Sequence, residues 1–409
     1  MLRNPIVGFA ARENCRTFAI LEERKAPDPT APVVTSQLKR TRLSVALFYF
    51  GQGIAFASWA SRIPDIKRSL HLNDAVLGSV LLALPLGQLC TMPVSGRLVT
   101  RFGSKRILTI AAPLYVLAMS NLGLATKPWQ LAVFLFFFGV AGNLCNISVN
   151  TQGVEAEKLY PHPIMTSFHG AWSLAGFVGA LIGFVMIRFG VPPYPHFVVI
   201  VLLLWTNVLL NHKWLVPGVS LRAEKKRGFR PDSALMKLGL VGFCSMATEG
   251  AMFDWSGVYF RDIVGAPNEL VVVGYASFMI MMATGRFLGD RVIARVGRTQ
   301  TVRVSGLVIS SGMAIAVLFP YLATATLGFM LVGVGVSSVV PTLYGVAGRH
   351  ERIPPGIALA TVSSVSYLGF LMGPPLIGYI SALSSLRYSY AVIGCFGILI
   401  TALAARVVK

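Results

Sequence analysis

A chain of 409 residues, 55% hydrophobic and only 13% charged, with mean hydropathy +0.68, is too apolar for a soluble fold, whose domains carry about a quarter charged residues. Its net charge of +20 and pI near 10.2 do not point to nucleic acid, because Lys and Arg lie in short loops between apolar blocks and not along one soluble face. Five scattered cysteines (Cys15, Cys90, Cys145, Cys244, Cys395) show no CxxC spacing, and no Walker loop, nucleophile elbow or metal-ligand cluster occurs, so ATP-driven pumping, enzymatic hydrolysis, a bound metal and other cofactors are not expected.

Residues 1–40 are polar and Arg-containing, with Pro27, Pro29 and Pro32, and lack an h-region followed by a small-residue cleavage site. They read as a disordered cytosolic tail or as the product of an early start codon, with a transit peptide the weaker third option because Glu22, Glu23 and Asp28 are acidic. Twelve apolar blocks follow, at 42–62, 75–98, 107–126, 129–151, 165–188, 194–214, 236–260, 270–292, 302–320, 322–346, 356–381 and 388–407. Each is about 20 residues long, enough to cross roughly 30 Å of hydrocarbon at about 1.5 Å per residue. The expected fold is therefore all-α integral membrane, with about twelve transmembrane helices.

Alternate loops hold the positive charge: the tail, then Arg97 to Arg106, then Lys213 to Lys237, then Arg291 to Arg303. The opposite loops hold little, so both termini are expected in the cytoplasm of a bacterial-type inner membrane. The basic stretch 217–234, with Arg222, Lys225, Lys226, Arg227 and Arg230, reads as a cytosolic linker between six-helix halves at 41–216 and 235–409. An internal repeat supports the halves. Arg101-Phe-Gly103 matches Arg295-Val-Gly297, and Gly139-Val-Ala-Gly142 matches Gly333-Val-Gly335-Val, both at an offset of 194 residues. Ser58-Trp59-Ala60-Ser61 echoes Asp254-Trp255-Ser256-Gly257 at 196.

The loop after the second block reads Gly96-Arg-Leu98-Val-Thr100-Arg101-Phe-Gly103-Ser-Lys105-Arg106, and on it the chain resembles the major facilitator superfamily from about Arg42 to Arg406. The resemblance implies two pseudo-symmetric six-helix bundles and a cytosolic gate at Gly96, Arg101, Gly103 and Lys105, repeated at Arg286, Asp290, Arg295 and Gly297. Thr100 replaces the acidic residue of the family pattern, and Asp290 is a candidate to supply the carboxylate; anchoring of helices at the cytosolic interface is the alternative to the favoured gate for both loops. Asn146-Ile-Ser-Val-Asn150-Thr-Gln152-Gly153-Val-Glu155, Ser167-Phe-His169-Gly170, Glu249-Gly250-Ala-Met-Phe-Asp254-Trp255 and Gly369-Phe-Leu-Met-Gly373-Pro374-Pro375 are similar, more narrowly, to the uncharacterised YbjJ-type inner-membrane branch.

In this architecture the first, fourth, seventh and tenth helices line a central cavity. Polar groups at bilayer depth are costly, so Gln52, Gln88, Asn143 and Asn146, with Trp172 nearby, are candidate solute contacts. Glu249 is the candidate proton carrier, or else a protonated acid bonded to a neighbouring helix. Asp254 with Trp255 reads as an interfacial anchor or a second proton site, and His169 as a proton relay or a backbone-bonded neutral imidazole. Arg286 and Asp290, four residues apart, read as an intrahelical pair near the cytosolic end; Glu155 and Glu157 are expected to meet the basic loops.

The resulting expectation is a secondary active transporter working by alternating access, coupled to protons, monomeric, with a small-molecule solute and the bilayer as partners. The amides and tryptophans suit a neutral or weakly charged polar solute such as a sugar, and the abundant Phe and Met suit an apolar efflux substrate as well. A receptor or scaffold that has lost transport is the reading of another class, for which Thr100 is the hint.

Overall fold

The computed structural model describes residues 36–160, 164–217, 232–347, 353 and 355–407. The expected tail up to residue 35, and all but the ends of the expected linker, lie outside the described residues; Thr41–Lys409 is one compact unit. The described residues form fourteen α-helices: α1 Ser36–Ser69, α2 Asp74–Leu81, α3 Ala83–Phe102, α4 Ser104–Asn121, α5 Pro128–Glu157, α6 Met165–Arg188, α7 Pro193–Asn211, α8 Ser233–Asp262, α9 Val273–Val296, α10 Arg298–Leu318, α11 Leu322–Ser337, α12 Val339–Ala347, α13 Pro355–Leu383 and α14 Leu386–Val407.

These helices match the twelve blocks, with two blocks broken. The second divides into α2 and α3 after Leu81, and the tenth into α11 and α12 after Ser337. Each break falls four residues before a proline, Pro85 and Pro341, whose ring clashes with the carbonyl four back and whose missing N–H leaves it unbonded. Proline also starts α5, α7 and α13, where no N–H is needed. Eleven segments are long and apolar enough to cross a bilayer. The twelfth, α8, has the length at 30 residues, but Glu249 and Asp254 lower its hydropathy. Outward-facing Leu202, Leu209, Leu307 and Ile398 suit hydrocarbon surroundings.

The repeat is visible in the backbone. Gly103 joins α3 to α4 with φ 83°, and Gly297 joins α9 to α10 with φ 85°, a left-handed conformation that glycine adopts without strain. A Cβ on Gly139 would meet the carbonyl oxygen of Leu84 at 2.0 Å, and one on Gly333 that of Phe278 at 2.4 Å, so both bundles pack the same helix pair backbone to backbone at the repeat offset. Trp59 and Trp255 are both fully buried. Helices α1–α7 make one bundle and α8–α14 the other, joined through α2 against α13 and α6 against α9.

The end at which α1 begins and α14 finishes is termed terminal, and the other end distal. Ionic contacts between the bundles gather at the distal end. Arg261 reaches Asp65 at 2.9 Å, Lys67 reaches Asp262 at 2.5 Å, and Arg188 reaches Glu269 at 2.8 Å. Lys67 also holds Asp74 at 2.7 Å, and Ser381 donates to the same carboxylate. Beside them α2 and α13 touch so closely that a Cβ on Gly378 would lie 2.5 Å from the Asp74 carbonyl oxygen. Toward the terminal end Asn146 and His169 are exposed, so the space between the bundles opens on that side.

Candidate functional site

Near the middle of α9, one cation joins three helices. Arg286 stands near the middle of the 24-residue α9. Its Nη2 donates to Oε1 of Glu249 on α8 at 3.2 Å, and its Nη1 donates to Oγ of Ser173 on α6 at 2.8 Å. Glu249 and Ser173 belong to different bundles, so the guanidinium bridges them. Both charged side chains are largely buried, at 20% and 10% exposure, and a charge so placed needs its partner.

Distal to the ion pair an aromatic cluster closes the space. Phe253, one turn after Glu249, contacts Phe56 at 5.3 Å and Trp172 at 6.0 Å in the first bundle, and Phe278 at 5.8 Å and Phe370 at 6.2 Å in its own. Ring edges meeting ring faces give a packed apolar lid. On the terminal side a polar chain runs along α5: Asn150 donates to Asn146, and Tyr49 of α1 donates to Oδ1 of Asn150 at 3.0 Å. The Tyr49 ring meets the edge of His169, one turn before Ser173 on α6.

The structure brings most of the expected polar residues to this space, in unequal roles. Gln52 is partly exposed and makes no hydrogen bond among the described residues, while Asn146 and His169 are exposed. Asn143 is buried, its Oδ1 without a partner among the described residues. Gln88 accepts a 2.5 Å bond from Tyr367 of α13, so it spans the bundles. Trp172 belongs to the aromatic lid.

The described partners of Arg286 are Glu249 and Ser173. The side chain of Asp290 lies outside the described residues. Trp255 is 0% exposed and cannot anchor at a lipid–water boundary, and Asp254 beside it is 8% exposed, enclosed by the second bundle. Glu155 accepts from Ser104 at 2.6 Å, and Glu157 accepts the backbone N–H groups of Ile164 and Met165 at 2.8 and 2.7 Å, capping the start of α6. Glu155 thus meets the basic loop of Arg97 to Arg106 through Ser104, while Glu157 is satisfied by nearby backbone donors in place of a basic side chain.

The gate loops lie at the terminal end. Gly96 has open space around it, and Thr100 donates back to the Gly96 carbonyl at 2.8 Å. Lys105 donates to the Lys213 carbonyl at 3.0 Å, at the end of the sixth span, where a cation suits the helix dipole. Among the described residues Arg101, Lys105 and Arg295 make no ion pair.

Ser173, Phe253, Tyr367 and Tyr49 were not singled out by the sequence, and Asn150 only as part of a family motif. Ser173 was within reach, four residues beyond His169 on the same helix face; Phe253 and Tyr367 sit among many other aromatics with nothing in the pattern to separate them.

Residues 43–351 match the Major Facilitator Superfamily. The chain is 33% identical over 364 residues to an uncharacterized MFS-type transporter of Yersinia pestis, covering 89% of this chain and 94% of that one. Among solved structures it is similar to a D-xylose-proton symporter, with a TM-score of 0.71 at 15% identity over 91% of this chain and 98% of that one. The nucleoside transporter NupG gives a TM-score of 0.74 at 12% identity over 90% and 100% of the two chains. At such identities these structures speak for the fold, while the match along most of the sequence speaks for descent. The chain belongs to the major facilitator superfamily, whose members carry small solutes across membranes.

Proposed function

We propose that the protein is a proton-coupled secondary transporter that moves a small polar solute, a sugar or similar metabolite, by alternating access between its two bundles. The observation that carries this reading is the Arg286 guanidinium held at once by Glu249 and by Ser173 of the opposite bundle. A bridge of that kind couples the state of one carboxylate to the separation of the bundles. Glu249 is the proton carrier, Asp254 a second carboxylate in reserve, and His169 the group nearest the open side. Gln52, Asn143, Asn146 and Gln88 supply amide contacts to the solute, and Trp172 a ring face. The termini lie in the cytosol of an inner membrane, the cavity faces inward, and the gate loops close it when the distal end opens. The division at 41–216 and 235–409 marks the two rocking bodies, and the transporter works as a monomer.

The test is flux into proteoliposomes across a panel of polar metabolites, with and without an imposed pH gradient. Accumulation driven by the gradient is expected, and Glu249→Gln abolishes accumulation while solute exchange continues. Gradient-driven accumulation that survives in Glu249→Gln would remove this carboxylate from coupling. A second reading, export of an apolar solute, draws on the aromatic lid around Phe253; lipophilic compounds in the same panel separate the two.

A further inference from the structure

We propose that the solute carries a single carboxylate, which takes the place of Glu249 on Arg286, and that the displaced Glu249 binds the coupling proton. The inference rests on the transport reading above and names its substrate class. Arg286 is the one Lys or Arg in the middle third of its helix among the described residues. A neutral solute in a cavity lined by amides has no need of so costly a group. The contact with Glu249 is one 3.2 Å bond, longer than the 2.7–2.9 Å typical of a tight charge-assisted pair, and not a two-pronged clasp. An incoming carboxylate therefore competes against a loose partner. Ser173, bonded to Nη1, adds a hydroxyl from the opposite bundle at the point where the anion would sit, so an occupant is gripped from both sides.

Charge counting fixes the proton. Glu249 and Arg286 together are neutral. If a solute carboxylate joined them with Glu249 still ionised, the enclosed site would hold a net negative charge. One proton transferred to the freed Glu249 oxygen restores neutrality: the Glu249–Arg286 contact is lost, the solute–Arg286 contact forms, and one O–H bond is made on Glu249. The ionisable groups around it are few. On α9 they are Arg286, Tyr275 and, one turn beyond Arg286, Asp290, whose side chain lies outside the described residues; on α6 His169, on α8 itself Asp254, on α13 Tyr367, on α12 Tyr344 and on α14 Tyr390. No Asp, Glu, Lys, Arg or His occurs in α11, α12 or α13. With no second Lys or Arg in the middle third of a helix among the described residues, a dianion is disfavoured. The rings of Phe56, Trp172, Phe253 and Phe370 beyond the ion pair accept an apolar or ring-shaped body, and the amides on the open side accept hydroxyls. The class is a small hydroxylated monocarboxylate.

Purified protein is tested against lactate, gluconate and glucuronate, paired with glycerol, glucose and xylose. Binding is followed by thermal protection, and flux in proteoliposomes with the membrane voltage clamped by potassium and valinomycin. At least one acid should bind and accumulate under a pH gradient, with no response to voltage because anion and proton move together, while its neutral counterpart should do neither. In Glu249→Gln, which removes the competitor, the acid should bind at least tenfold more tightly and without pH dependence; Arg286→Gln should lose acid binding, and Ser173→Ala should weaken it severalfold with the ion pair intact. Accumulation of a neutral sugar in preference to every acid, or binding of no acid in the wild type, overturns the carboxylate proposal and leaves transport standing. An acid that binds but never crosses the membrane overturns the transport reading instead. Elution of each variant as a monodisperse peak separates lost binding from lost folding.

Discussion

Arg286 and Glu249 each make the other tolerable at bilayer depth, and their removal should show it. Glu249→Ala leaves a guanidinium largely enclosed without its counter-charge, a loss of about 3–5 kcal/mol for a buried pair broken on one side. The double variant Glu249→Gln/Arg286→Gln should recover most of that stability, read as thermal unfolding in detergent, while transport stays absent. Equal instability of single and double variants would mean that the pair is not what holds these helices. Glycine tests the repeat in the same way. Gly139→Ala drives a methyl against the Leu84 carbonyl and should cost about 1–3 kcal/mol, whereas Gly96→Ala, in open space, should leave the unfolding temperature unchanged. Glu249 was legible in the sequence because a carboxylate in an apolar block has to be explained. Arg286 was legible through the echo of the gate motif in Gly285, Gly289 and Asp290, but its reach to Glu249 and Ser173 was not. Ser173 left no signal beyond its place one turn after His169, since a serine costs a membrane helix little wherever it sits.

Helices were easier to read than side chains, because bilayer thickness imposes their length. Block edges and helix ends agree within a few residues in most spans, and the broken second and tenth spans follow from Pro85 and Pro341, visible in the sequence. What periodicity did not reveal was which helix ends meet. At the distal end α1, α6 and α8 and the segment before α9 supply Asp65, Lys67, Arg188, Arg261, Asp262 and Glu269, six charges that pair between bundles. Individually such pairs are weak where water reaches them, but Asp65 serves Arg62, Arg68 and Arg261 together. Asp65→Asn should therefore loosen the distal closure. Spin labels at Arg68→Cys and Asn268→Cys, in a chain cleared of native cysteines, should report a longer distance on that substitution. A distance distribution unmoved by Asp65→Asn would show that apolar packing of α2 on α13 closes this end alone.

Across the whole molecule, the offsets of 194 and 196 residues describe two bundles with one plan and different chemistry. The backbone elements kept the plan: the left-handed turns at Gly103 and Gly297, the close approaches at Gly139 and Gly333, the buried Trp59 and Trp255. The cavity side chains did not. The first bundle brings amides, His169 and Ser173; the second brings the ion pair. Coupling needs such inequality, because a charge shared between bundles has meaning only if one of them owns it.

The same inequality governs the distal closure. Asp65 and Arg261 occupy equivalent positions, 196 residues apart, in α1 and α8, and they bond to each other. Equivalent positions that touch must lie beside the pseudo-twofold axis. In a symmetric pair of identical halves that position would face its own twin, carboxylate against carboxylate or guanidinium against guanidinium, and the gap would be held open by repulsion. A lock of this form is open only to a fused chain whose two copies have diverged, and it makes the closed distal state a product of broken symmetry.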